Sequence, residues 1–173
     1  MNLESKIRNI PNFPKQGIMF KDITTVLKDA ETLTYCVNTL YERYKNSGVT
    51  KIVGIEARGF ILGTALAYKM GIGFVPIRKP GKLPAETLRQ EYQLEYGTDA
   101  IEVHKDAIAK GEKVLVHDDV LATGGTMEAA CKLVQQLGGN IVGICCIAEL
   151  SFLNPRKKLA DYDVFSLVTY TAE

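Results

Sequence analysis

The chain has 173 residues, 46% of them hydrophobic and 24% charged, with a formal net charge of +1. That is enough chain for one full hydrophobic core, and it argues against a disordered protein or one whose main business is binding nucleic acid. No apolar run is long enough to cross a bilayer, and the N-terminal stretch MNLESKIRNIPNFPKQG lacks the unbroken apolar core of a secretory signal, so a cytoplasmic protein without a membrane partner is expected.

In chain order, Leu3–Ile10 is expected as a short helix, followed by a proline-containing loop and an extended piece. A helix then runs from Asp29 to about Ser47. Asp29 is its N-cap, Leu33, Val37, Leu40, Tyr41 and Tyr44 form one apolar face, and Gly48 is the stop. Lys51–Ile55 suits a buried strand, Phe60–Met70 a helix closed by Gly71, and Gly73–Ile77 a second buried strand, which together make a βαβ unit. Residues 78–97 are polar and proline-bearing. The alternation of Tyr92, Leu94 and Tyr96, and of Ala100–His104, predicts a long loop running into a projecting hairpin. Lys113–Asp119 is another buried strand, Gly124–Leu137 a turn and helix, Asn140–Leu150 a long strand and Asp163–Val168 a last one. About five strands with helices between them predict a doubly wound, mainly parallel α/β sheet in a single domain.

The four cysteines show no zinc-type spacing, and Cys145 and Cys146 are adjacent in an apolar run, so they should point to opposite faces of a strand as buried thiols. With only two histidines, a histidine-based metal site is not expected.

The segment with most chemical content is VLVHDDVLATGGT, Val114–Thr126. Doubly wound sheets bind ligands beyond the carboxyl ends of their strands, and here two acids, Asp118 and Asp119, stand at such an end. Ala122, Thr123, Gly124, Gly125 and Thr126 follow, directly before a helix. Successive glycines let main-chain amides converge on one point, the threonines add hydroxyl donors, and a helix N-terminus adds positive potential. That set suits a phosphate dianion, while the acids suit the vicinal hydroxyls of a ribose. A solvated acidic turn would explain the Asp-Asp pair alone, but not the ordered succession of strand, acids, glycine loop and helix.

This segment resembles the phosphoribosyl pyrophosphate signature of type I phosphoribosyltransferases. Three further stretches, FPKQGIMFKDIT (Phe13–Thr25), GIEARGFILG (Gly54–Gly63) and IRKPGKLP…LEYG (Ile77–Gly97), and the tail LNPRKKLADYDVFSL resemble the adenine-specific branch, in the right order over nearly the whole chain. The resemblance implies a five-stranded sheet with flanking helices, a base-binding hood over residues 1–28 and a catalytic flap over residues 78–104. It implies Mg²⁺-dependent transfer of a phosphoribosyl group from phosphoribosyl pyrophosphate to adenine, giving AMP and pyrophosphate, by a homodimer. The ion would be held mainly by the substrate's pyrophosphate and ribose hydroxyls, with no direct protein ligand.

By the same resemblance, Asp118 and Asp119 hold the ribose hydroxyls and Ala122–Thr126 the 5′-phosphate. Arg58, Lys79 and Lys82 meet the pyrophosphate, and Arg78 reaches the neighbouring subunit's site. Glu95 on the flap is the general acid or base, with Tyr96 beside it. Met19 and Lys21 read adenine through main-chain groups, Phe20 lies against its ring, and Val120 adds an apolar wall. The family holds a cis peptide in the loop bearing Arg58, so one is expected within Glu56–Arg58. Two residues depart from the pattern: Gln16 stands where proline is common, and His117 where an aliphatic residue is usual. His117 should point away from Asp118 and act structurally. Two alternatives remain: transfer to another purine base, or a non-catalytic sensor of phosphoribosyl pyrophosphate, for which the near-neutral chain offers no basic patch.

Overall fold

The structure is a computed structural model that describes residues 1–94 and 97–172. Its first element corrects an expectation. Instead of a helix over Leu3–Ile10, one 3₁₀ turn at Glu4–Lys6 leads into β1 (Arg8–Pro11), which pairs antiparallel with β2 (Met19–Asp22). Leu3 and Ile7 are both buried, as a helical spacing would predict, but the turn already achieves this. Arg8 then extends, and its Nε donates to Asp22 Oδ2 at 2.9 Å across the strand pair.

After a short α1 (Thr24–Leu27), the long α2 (Ala30–Tyr44) begins at the expected cap, with Asp29 accepting from the Thr32 amide at 3.2 Å. β3 (Lys51–Ile55), α3 (Gly59–Met70) and β4 (Gly73–Ile77) follow as read, with Gly71 closing α3 in the left-handed region. The hairpin is β5 (Thr87–Gln93) against β6 (Thr98–His104), and β4 is tied to it through reciprocal main-chain bonds between Arg78 and Glu102. β7 (Lys113–Leu121), α4 (Gly125–Gln136), β8 (Asn140–Leu150) and β9 (Val164–Tyr170) complete the order.

Five strands form one parallel sheet in the order β4-β3-β7-β8-β9. β4 is an edge, which is why Pro76 is tolerated inside a strand. The chain moves outward from β3 to β4, then returns to lay β7 on the other side of β3. The carboxyl ends of β3 and β7 therefore flank the point where the strand order reverses, the place where such sheets open a crevice.

Strand alternation divides the core into two layers. Val53, Val116, Ile144 and Cys146 face α4 and the hairpin; Ile52, Leu115, Cys145 and Ile147 face α2 and α3. The adjacent cysteines thus take opposite faces, as expected, and all four cysteines are buried free thiols.

The approach of α3 to the sheet depends on missing side chains. A Cβ on Gly54 would meet the Phe74 ring at 2.5 Å, and one on Gly63 would meet it at 2.9 Å. That ring fills the gap between helix and sheet, edge-on to Phe60 at 5.7 Å between centroids. Gly54→Ala should therefore cost roughly 1–3 kcal/mol by overpacking. Shortening the obstacle with Phe74→Leu should recover part of that loss in urea unfolding; simple additivity of the two substitutions would mean that the ring is not what Gly54 accommodates.

Candidate active site

Two adjoining cavities open where β3 and β7 end. The larger, about 170 Å³, is lined by Glu56, Ala57 and Arg58 after β3, by Asp118, Asp119 and Val120 of β7, and by Lys79, Tyr92 and Thr126. The smaller, about 90 Å³, is lined by Asp118, Val120, Leu121, Ala122, Thr123, Gly124, Thr126 and Met127. Asp118, Val120 and Thr126 belong to both, so the acid pair stands between the glycine loop and the cationic loops. A roomier hollow of about 360 Å³ lies between β5 and α4, but of the predicted site residues only Gly125 reaches it. Chemistry rather than size selects the crevice.

The glycine loop is shaped from behind. Gly124 has a φ of +83°, and a Cβ there would lie 2.9 Å from the Pro155 carbonyl oxygen. Only glycine allows both the left-handed turn and that close backing. Gly124, Thr126 and Met127 line the smaller cavity, so it opens at the N-terminal turn of α4, the kind of place an anion occupies.

The acids differ in environment. Asp118 Oδ1 accepts from the Asp119 amide at 2.8 Å. Burial, and then the neighbouring charge of Asp119, push the Asp118 carboxyl well above the usual carboxylate range. Asp119 is nearly buried, and its Oδ2 lies 2.6 Å from Arg58 Nε. The contact is ionic rather than a directed hydrogen bond, because no described donor is aimed at that oxygen, and its acceptor capacity stays open. The Arg58 guanidinium carbon also sits 4.9 Å from the centre of the Phe20 ring, so one arginine links the acid pair to the N-terminal segment.

Lys79 reaches the larger cavity with its ammonium held by Tyr92, whose hydroxyl lies at 3.0 Å, and by Asp99. Arg78 does not line it. Its Nε and Nη2 lie 3.1 and 3.0 Å from Glu56 Oε2, while Glu56 Oε1 accepts from the Lys79 amide. Glu56 thereby ties the loop after β4 to the loop after β3. A cis peptide joins Glu56 to Ala57, within the stretch where one was expected. Lys82 is exposed and lines neither cavity. Gly125 lines neither cavity and instead borders the wider hollow, facing Tyr92 and Gln93. On β2, Met19 and Phe20 are half-buried. The Lys21 side chain is buried, donating to Asn9 Oδ1 at 3.0 Å and lying 4.2 Å from the Tyr170 ring centre. Glu95 and Tyr96 lie outside the described residues.

Sequence reasoning passed over Glu56, Tyr92 and Asp99. Glu56 was discoverable, since it follows β3 directly and is an acid beside the predicted Arg58. The strand carrying the acid pair runs on past the expected Asp119 to Leu121, because Val120 and Leu121 still pair with β8. Tyr92 and Asp99 needed the hairpin register.

A family model described as "Phosphoribosyl transferase domain" matches residues 19–171. A relative named adenine phosphoribosyltransferase, from Geobacter metallireducens, is 61% identical over 168 residues, covering 97% of this chain and 98% of that one. Among solved structures, the adenine phosphoribosyltransferase of Thermoanaerobacter pseudethanolicus superposes with a TM-score of 0.95 at 54% identity, over 97% of this chain and 98% of its own. That of Saccharomyces cerevisiae, complexed with adenine and an imino-altritol bisphosphate, superposes with a TM-score of 0.90 at 40% identity, over 95% and 96%.

His117, the departure next to the acid pair, is fully buried on the far face of β7. Its Nδ1 lies 3.1 Å from the Cys145 carbonyl oxygen, its Cδ2 abuts Gly63 of α3, and its Nε2 has no described partner. Burial lowers it to about 4, so the folded protein holds it neutral. The unfolded chain binds this proton below about pH 6.5, and the folded one only near pH 4, so stability should fall as pH drops through that window. The loss should approach roughly 3 kcal/mol. His117→Gln should flatten the dependence in urea melts between pH 7 and pH 4; an unchanged slope would assign it to another group.

Proposed function

Since the chain belongs to the phosphoribosyltransferase family, we propose that it transfers the 5-phosphoribosyl group from phosphoribosyl pyrophosphate to adenine, giving AMP and pyrophosphate in purine salvage. The observation that carries this reading is the joining of the glycine loop, the acid pair and Arg58 around one crevice, with Arg58 reaching back to the Phe20 ring. Each part suits one piece of the reaction: phosphate, ribose and base.

In this reading the loop Ala122–Thr126 holds the 5′-phosphate, with Gly125 contributing its main chain at the start of α4. Asp118 and Asp119 accept from the ribose 2′- and 3′-hydroxyls. Arg58 and Lys79 meet the pyrophosphate. Lys82, exposed on the following turn, joins them from the flap over residues 78–104. Adenine lies against Phe20 under the hood formed by residues 1–28, with the main chain of Met19 and Lys21 matching its amino donor and ring-nitrogen acceptor and with Val120 beneath. Glu95, with Tyr96 beside it in the chain, acts at adenine N7 as the general acid or base.

The bond from the anomeric carbon to pyrophosphate breaks as the bond to adenine N9 forms, through an oxocarbenium-like sugar; pyrophosphate leaves, and the ring proton that adenine sheds from N7 passes to Glu95 acting as base. The protein's share is position and charge. The loop and acids fix the ribose, the cations stabilise the leaving oxygens, and the closing flap keeps water from the donor.

The residues also fit Mg²⁺. Among the described residues, no group of three or more His, Cys, Asp and Glu side chains gathers into a ligand set. The crevice instead offers two adjacent carboxylates, of which Asp119 is paired with Arg58. That suits an ion held chiefly by the donor's own oxygens, with Asp118 and Asp119 gripping the hydroxyls beside it. When bound, the ion neutralises the pyrophosphate. The reading extends to a cytoplasmic homodimer in which Arg78, here on Glu56, serves the partner's site.

Offered adenine, hypoxanthine and guanine separately with phosphoribosyl pyrophosphate and Mg²⁺, the protein should turn over adenine with strong preference; preference for an oxopurine would overturn the assignment of the base. Replacing Asp118 and Asp119 together with Asn should lower kcat/KM for the donor by roughly 100-fold, as expected for the loss of about 3 kcal/mol of hydrogen bonding to the ribose. Near-normal turnover by that variant would remove the acids from the ribose site.

A further inference from the structure

The hairpin register places Tyr92 directly opposite Asp99. The Tyr92 hydroxyl lies 3.2 Å from Asp99 Oδ2 and 3.0 Å from Lys79 Nζ, and Lys79 Nζ also pairs with Asp99 Oδ2. Three side chains, from the loop after β4 and the two strands of the hairpin, thus close a ring of contacts. Lys79 is held at its other end as well, since its amide donates to Glu56 Oε1. Both its stem and its head are constrained beside the acid pair.

The ring is not needed to hold the hairpin. Seven main-chain partner pairs carry its register, and Leu88, Tyr92, Ile101 and Val103 pack it into the core. The Lys79–Asp99 pair is also too exposed to add much stability, with side-chain exposures of 42% and 33%. What it does is orient. An ammonium has three N–H donors, and two of these are taken by Tyr92 and Asp99. One remains for an anion in the cavity that Lys79 lines.

We propose that Asp99 and Tyr92 are positioning residues for the pyrophosphate end of the donor, holding the Lys79 ammonium on the crevice with one N–H presented to a phosphate oxygen. The inference rests on Lys79 being a pyrophosphate ligand, the role given to it above. An unheld lysine must freeze its long side chain each time an anion binds, which costs roughly 10- to 30-fold in affinity. Positioning and simple electrostatics predict opposite signs. Deleting the Asp99 charge makes the crevice more positive, so charge alone would tighten anion binding, whereas loss of aim weakens it.

The test is the reverse reaction of the full-length enzyme, AMP with Mg²⁺ pyrophosphate, for Asp99→Asn, Tyr92→Phe, Lys79→Met and the Lys79→Met/Asp99→Asn pair. Asp99→Asn should raise KM for pyrophosphate about 10-fold, and Tyr92→Phe by less, with KM for AMP and kcat changed less than about 2-fold. The double variant should be no worse than Lys79→Met, because a positioning residue has nothing left to position. If Lys79→Met weakens pyrophosphate while neither Asp99→Asn nor Tyr92→Phe does, or if Asp99→Asn tightens it, the positioning role is overturned. If Lys79→Met leaves pyrophosphate unaffected, the reading of Lys79 itself fails, and the proposal with it.

Discussion

The site depends on the parallel pairing of β3 with β7. β3 stops one residue past the Gly54–His117 pair while β7 runs on to Leu121, so the loop that leaves β3 lies beside the acid pair on the last residues of β7. The reversal of strand order keeps a gap open there, because β4 lies beyond β3 and β8 beyond β7, with no helix crossing between. Arg58 and the acid pair are therefore neighbours although 60 residues separate them. Two further constraints keep them so. Gly54 and Gly63 let α3 settle close to the sheet, which positions Arg58 at its N-terminus, and Pro155 backs the Gly124 turn.

Charge in the crevice is arranged in linked pairs. Arg58 serves Asp119, Glu56 serves Arg78 and the Lys79 amide, and Asp99 serves Lys79. Asp118 has no such cation and shares a low-dielectric wall with Asp119, so its carboxyl resists ionisation. Sugar hydroxyls donating to this pair would spread the negative charge that the protein leaves crowded there. Burial opposes the Lys79 charge, but the hydrogen bonds that its ammonium donates to Asp99 and Tyr92 outweigh this and push it above the ordinary lysine range. A cation and an acid pair can thus stand on one cavity wall without collapsing onto each other.

The sequence was most legible where one residue type meets one backbone need. Apolar runs, Asp29 before α2 and Gly71 after α3 placed their elements within a few residues, because burial and capping act locally. It misled over Leu3–Ile10, where the same i, i+4 burial is met by a turn and a strand once β2 is available to pair. Lys82 and Arg78 read as alike from composition, yet one is exposed and the other is bound to Glu56. Nothing near them in sequence announces that difference.

By itself, the sequence determined the run of strands and helices, the phosphate-shaped glycine loop and the acids before it. Each of these follows from neighbours within about a dozen residues of chain. The family resemblance added the names of Arg58, Lys79 and Phe20. Only the tertiary structure decided which of these charges meet, because contacts such as Arg58–Asp119, Lys79–Asp99 and Arg78–Glu56 are set by strand order and hairpin register. Those are properties of pairing between distant segments, and no local preference encodes them.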